Sequence, residues 1–200
     1  MTMDASQDAA SKPVSRRDAP REPDAPRKPR TSTYGLRPLG LVVFLENIGH
    51  ISGIDLPQWA MNIIDFVAEE YTKITLRVHG VYRKYDRVWI LEDEEATGPN
   101  LTATLLAASR SHRVDVLVLS HGMPDQILGY KGLHIGSETF QPLVDAYQAD
   151  PTLLHLRAVW QMNCYGLSMA RVWTALGARS VNGSIGVNWL PEPALSLFLR

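Results

Sequence analysis

The run Val114-Asp115-Val116-Leu117-Val118-Leu119 constrains this chain most. It is nearly all apolar, rich in β-branched residues, too short for a core helix, and it stops at Ser120-His121-Gly122. Continuous Val/Leu stretches of this length mark strands buried on both faces of a parallel sheet. Open α/β sheets gather ligands at the carboxyl ends of their strands, so His121 stands where chemistry is expected. Gly122 adds a backbone that a ligand can approach closely. A second mostly apolar run, Leu156 to Met162, ends in Asn163-Cys164-Tyr165-Gly166, and Cys164 is the only cysteine of the chain. Two neighbouring parallel strands would bring His121 and Cys164 to one edge of one sheet.

The remaining sequence alternates strand and helix patterns around these two runs. Leu41 to Leu45 is a first strand, followed by a loop from Asn47 to Asp55. A helix starts at Leu56-Pro57 and carries apolar residues in steps of three and four, from Ile63 and Ile64 through Val67, Tyr71, Ile74 and Val78 to Tyr85. Thr72 to Val81 is β-branched enough to pass for a strand, but the helical spacing persists through it. Arg87 to Leu91 is a second strand, and the acids Glu92 to Glu95 after it read as a solvated loop. Thr97 or Asn100 caps a helix through Leu101, Leu105 and Leu106 to about Arg110. After the third strand, alternation around Gly129 and Gly132 predicts a β-hairpin on the sheet's edge. A helix follows from Ser137 through Phe140, Leu143, Val144 and Tyr147 to Asp150-Pro151, then the fourth strand. Another helix runs through Leu167, Ala170, Val172, Trp173 and Leu176 and stops at Gly177. A fifth strand spans Ala178 to Val187, and a helix begins after Pro191. The fold class implied is α/β: a three-layer α/β/α sandwich around a mostly parallel, doubly wound sheet.

Composition sets the bounds. Two hundred residues, 45% hydrophobic and 20% charged, suit one domain with a tail. Residues 1–37 are rich in Pro, Ala, Asp and Arg and too poor in large apolar side chains to offset ordering entropy, so disorder is expected there. Residues 38–200 form the domain. A formal net charge of −1 argues against nucleic acid as a partner. No apolar run approaches the roughly 20 residues of a membrane helix, and Ser15-Arg16-Arg17-Asp18 lacks the apolar segment of an export signal. A single cysteine excludes an internal disulfide and suits a reducing, cytoplasmic setting. No His/Cys/Asp grouping has ligand spacing, so neither a metal nor another cofactor is expected.

An ionised thiol is a strong nucleophile, and cleaving a peptide additionally needs a proton donor for the leaving amine. Cys164 and His121 supply that pair. A helix starting after Cys164 would favour thiolate through its N-terminus. The backbone N–H groups of Gly122 and Cys164 are natural oxyanion donors. His50 lies at the end of the first strand, and Ser184 and Asn188 at the end of the fifth. All three can line a pocket on that rim. His79, His112 and His155 read as structural or solvated, and His134 belongs to the hairpin.

The stretch Leu119-Ser120-His121-Gly122 resembles the histidine motif of caspase-like cysteine peptidases, and Met162-Asn163-Cys164-Tyr165-Gly166 resembles their cysteine motif. That family places its histidine about 50 residues before the cysteine, and the spacing here is similar. The likeness extends over Asn100-Leu101-Thr102, the hairpin at Ile127 to Gly132 and the helix through Phe140, and so spans about Leu39 to Val187. Gly177 to Val181 is similar to the bacterial CHAT branch of the same superfamily, which also holds metacaspases and legumain-like enzymes. The resemblance implies the caspase/hemoglobinase fold, a His121–Cys164 dyad, Gly122 in the oxyanion hole, and a protein or peptide substrate cut after one distinctive side chain. For such a peptidase, activation is expected through a partner protein, through homodimer formation or through cleavage of the tail. Two features depart from caspases: the loop Asn47 to Asp55 holds no arginine, and Met162 replaces the glutamine of Gln-Ala-Cys. Asp55 or Glu46 could therefore select a basic residue, and either also reads as a helix cap or a solvated acid. Candidate substrate-binding residues are His50, Asp55, Gln161, Asn163 and Ser184. The alternative is a catalytically silent module of the same fold that serves assembly or signalling. A flavodoxin-like nucleotide site is disfavoured because no glycine-rich loop follows the first strand.

Overall fold

The structure, a computed structural model, describes residues 37–46, 73–77, 80–188 and 194–199. All of them fall within the compact unit Thr33–Arg200. The tail before Arg37, the loop with His50 and Asp55, and the first part of the helix expected from Pro57 lie outside the described residues.

Five strands form one sheet: β1 (Leu39–Leu45), β2 (Arg87–Leu91), β3 (Arg113–Leu119), β7 (Leu156–Gln161) and β8 (Ser180–Gly183). Their order is β2-β1-β3-β7-β8, and every pairing is parallel. After β1 the chain builds outward to one side, then returns to build the other, so a topological switch point lies between β1 and β3. The strands expected third and fourth are neighbours, as the two opening runs required.

The sheet buries both faces, which is why β1 and β3 read as nearly continuous apolar runs. Successive side chains point to opposite faces. Val42, Phe44, Val116 and Val118 pack with Leu101 and Leu105 of helix α2 (Gly98–Ser109), Phe140 and Leu143 of α3 (Ser137–Ala149), and Trp173 of α4 (Ala170–Ala175). Leu41, Val43, Leu45, Leu117 and Leu119 pack on the other side with Leu76, with Val81 of the short helix α1 (Val81–Lys84), with Tyr85, and with Leu195 and Phe198 of α5 (Ala194–Leu199). Helix α2 is capped by Thr97, whose hydroxyl accepts from the Asn100 N–H at 3.3 Å.

Three local expectations change. Residues 73–77 are helical, as the spacing and not the β-branching indicated, and Gly80, with a φ of 68°, precedes a separate short helix, α1. The hairpin does not extend the main sheet. β4 (Gly122–Met123), β5 (Gln126–Gly129) and β6 (Leu133–Gly136) form a separate antiparallel sheet, because the chain leaves the main sheet after β3 and reverses between β4 and β5 through Pro124 and Asp125, the latter at φ 61°. The fifth parallel strand is shorter than expected and ends at Gly183, since the next residues turn inward to bond the segment around Cys164. Glu92 to Glu95 behaves as expected, an exposed 3-10 turn over Asp93–Glu95.

Candidate functional site

The register of β3 and β7 brings the two motifs together. Val118 pairs with Gln161, and the Met162 N–H donates to the Val118 carbonyl at 2.8 Å. His121 and Cys164 stand equally far beyond that pair, each half-buried. The end of β1 is tied to the same rim by the Glu46 N–H, which donates to the Leu119 carbonyl at 2.9 Å. The His121 carbonyl accepts from the Leu128 N–H and from the Ser120 hydroxyl, both at 3.0 Å, which anchors His121 to the small sheet.

Gly122 closes the gap between the strands. A Cβ there would lie 2.3 Å from Asn163 Nδ2 and 2.5 Å from the Cys164 carbonyl oxygen, so only glycine lets the two segments touch. Asn163 Nδ2 donates to that same carbonyl at 3.2 Å. Tyr165 then adopts a left-handed conformation, φ 55° and ψ 21°, and turns the chain sharply away from Cys164. The Gly166 N–H donates back to the Asn163 carbonyl at 3.2 Å, and the Gln161 side-chain amide donates to the Gly166 carbonyl. After this compact bend come a 3-10 turn, Gly166–Met169, and then α4. The helix expected directly after Cys164 thus begins as a 3-10 turn.

The segment Ser184 to Asn188 straps the bend from the far side. The Asn188 N–H donates to Cys164 Sγ at 3.3 Å, and the Asn188 carbonyl lies 3.7 Å from the same sulfur. Asn188 Nδ2 donates to the Met162 carbonyl at 2.8 Å. The Ser184 hydroxyl has one proton and two acceptors in reach, the Asn163 carbonyl at 2.8 Å and the Gly186 carbonyl at 3.0 Å. The Tyr165 and Leu167 N–H groups donate to the Gly186 and Ser184 carbonyls at 2.8 and 3.0 Å.

Of the residues expected to meet substrate, Gln161 and Asn163 are only 2% and 1% exposed, and their amides hold the Cys164 bend. Ser184 is part of the strap. His50 and Asp55 lie outside the described residues, as does His79. Glu46 is buried at the end of β1. His112 is buried, bonded to Ser111 and to Asp86 at 2.9 Å, and His134 bonds Gln126 at 2.5 Å, so both belong to the scaffold. His155 is buried just before β7.

Sequence reasoning missed one buried network. Asp115, fully buried within β3, accepts from the Tyr85 hydroxyl at 2.6 Å and from Arg157 Nε at 2.7 Å, and Arg157 Nη2 completes a bidentate pair. Burial, then the charge of Asp115, pushes the Tyr85 hydroxyl far above its ordinary pKa. The hydrogen bonds to Asp115 raise that of Arg157. A lone acid inside an apolar strand was the available signal, because such a group needs a partner.

Among the described residues, no grouping of three or more His, Cys, Asp or Glu could hold a metal, and no helix is long and apolar enough to cross a membrane. An open groove of about 420 Å³ between β2 and α2, lined in part by Trp89, Leu91, Asn100 and Thr104, includes neither His121 nor Cys164. No protein-family model matches this chain, and no curated protein does either.

Proposed function

We propose that this chain is a caspase-like cysteine endopeptidase, with Cys164 as nucleophile and His121 as general acid and base. The observation that carries this reading is the register of β3 and β7, together with the contact of Gly122 on the Asn163–Cys164 peptide. The parallel sheet, with an apolar helical cover on each face, supports a caspase-like three-layer sandwich as its scaffold.

In this reading the Cys164 thiolate attacks the scissile carbonyl carbon, and the oxyanion that forms accepts from the Gly122 and Cys164 N–H groups. The imidazolium of His121 protonates the leaving amine as the C–N bond breaks, which leaves a thioester. His121, now neutral, takes a proton from water, the hydroxide attacks the thioester, and the thiolate departs as the carboxylate product forms. Asn163 and Asn188 hold the cysteine bend in place throughout. The substrate is a protein or peptide. The cytoplasm, which keeps the only cysteine reduced, is the fitting compartment.

The test is turnover of a fluorogenic peptide library by the full chain and by the Cys164→Ala and His121→Ala variants, with circular dichroism to confirm folding. Both variants are expected to lose turnover while keeping the fold; undiminished turnover by Cys164→Ala would remove the reading. A second reading, a silent assembly or signalling module, is favoured by the way the Asn188 backbone brackets the sulfur. It predicts that an electrophilic peptide leaves Cys164 unlabelled in the folded protein.

A further inference from the structure

Half of the exposed large apolar side chains among the described residues stand around the His121 and Cys164 rim. Met123 is 46% exposed, Leu167 38%, Ile185 86% and Val187 51%. The backbone bonds that build the site also gather these four. Met123 follows Gly122 in β4. The β4–β5 turn reaches the segment after Cys164 through the Asp125 N–H, which donates to Ser168 Oγ at 2.7 Å. Leu167 is tied to the strap by its N–H on the Ser184 carbonyl at 3.0 Å. Within the strap, Ser184, Gly186 and Asn188 bond inward to the cysteine bend, and Ile185 and Val187, between them, face solvent.

The described segments that carry these four side chains lack charge. Gly122 and Met123, Cys164 to Ser168, and Ser184 to Asn188 include no Asp, Glu, Lys or Arg. The nearest acid along the chain is Asp125, at the tip of the β4–β5 turn. A charged substrate side chain laid on these segments would lose water without gaining a counter-charge from them, which is unfavourable. An aliphatic one would cover apolar surface that is now wet. Clustered exposed apolar side chains are how binding surfaces are recognised.

We propose that this rim takes a peptide whose side chains beside the cleaved bond are aliphatic, seated on Met123, Leu167, Ile185 and Val187. Resting on the peptidase reading, this assigns the substrate class of the same site, and it departs from the charged preference typical of caspases.

Two measurements on the full chain let the two readings fail separately. In a positional fluorogenic library, Leu, Val, Ile and Met next to the cleaved bond are expected to exceed Asp, Arg and Lys in kcat/KM by about tenfold or more. The Ile185→Ser and Val187→Ser double variant should raise KM for aliphatic peptides by about tenfold with little change in kcat. Turnover with a charged preference overturns the aliphatic assignment and leaves the peptidase standing. The second measurement is anisotropy of labelled Leu/Val peptides and of Asp or Lys counterparts on Cys164→Ala. If no peptide is turned over but the aliphatic ones bind Cys164→Ala and lose binding in the serine variant, the peptidase reading falls and the aliphatic ligand remains. No binding of aliphatic peptides overturns the assignment. So does sedimentation showing that the four side chains are covered by a second copy of the chain.

Discussion

Gly122 and Asn163 are in contact because Gly122 has no Cβ. One placed there would stand 2.3 Å from the Asn163 amide nitrogen and 2.5 Å from the Cys164 carbonyl oxygen. The second neighbour is backbone, which cannot swing aside as a long side chain would. Gly122→Ala is therefore expected to lower stability by about 1–3 kcal/mol, the usual range for overpacking. It should also move the Cys164 bend away from β4, so kcat/KM for any cleaved peptide should fall more than stability alone explains. Urea unfolding and peptide turnover measure the two effects. A variant equal to the parent in both would show that the strand ends do not press together.

The Asp115–Arg157 pair is asymmetric in exposure: the Asp115 side chain is 1% exposed and that of Arg157 37%. Removing the arginine strands a buried carboxylate, with only the Tyr85 hydroxyl left as a hydrogen-bond donor from this network. Arg157→Ala should thus cost about 3 kcal/mol, near the low end for broken buried pairs because the open side admits water. Replacing both partners with apolar residues, Asp115→Leu with Arg157→Met, should recover part of the loss. Denaturant midpoints of the single and double variants decide this.

Tyr85 adds a pH dependence at the alkaline end. Its folded-state pKa lies well above the ordinary 10.0, first through burial and then through Asp115. The unfolded chain therefore releases this proton first as pH rises. The contribution is complete below about pH 10 and is lost as pH climbs beyond it. Tyr85→Phe should flatten the alkaline limb of a stability profile, and an equally steep limb would contradict the assignment.

His155 acts at the acid end. Burial, and then the charge of Arg37, lowers its pKa below the ordinary 6.5. As pH falls the unfolded chain takes up the proton before the folded one, so stability is full above about 6.5 and declines below it. The expected result is a larger drop in urea midpoint between neutral and mildly acidic buffer for the parent than for His155→Gln. A drop of the same size in both would assign the acid sensitivity elsewhere.

Tyr165 holds a positive φ of 55° directly after Cys164. Such a conformation costs a residue with a Cβ about 1 kcal/mol, and a β-branched residue more. Tyr165→Val should destabilise the fold by about 1–2 kcal/mol, whereas Tyr165→Gly should be close to neutral, strain relief offsetting lost packing. Thermal unfolding of the pair tests this, and a valine variant as stable as the glycine one would exclude strain at the bend.

What the sequence by itself determined follows from local pattern. The apolar runs at Leu41 to Leu45 and Val114 to Leu119 became strands because residues buried on both faces need no polar alternation. Thr97 capped α2 and Gly177 ended the segment after Cys164 through bonds reaching only three or four residues. That His121 and Cys164 each follow the end of a parallel strand came from the strand–helix order, and the pairing of β3 with β7 made those strands neighbours. Only the tertiary structure decided the rest. Gly122 looked like a ligand-facing residue, and its contact with Asn163 emerges only when two distant strand ends meet. Gln161 and Asn163 read as substrate-facing polar residues, yet the bend at Tyr165 turns their amides onto the backbone. The Asp115–Arg157–Tyr85 network and the Asn188 strap join residues far apart in the chain. Their partners are chosen by register and packing, which no local period encodes.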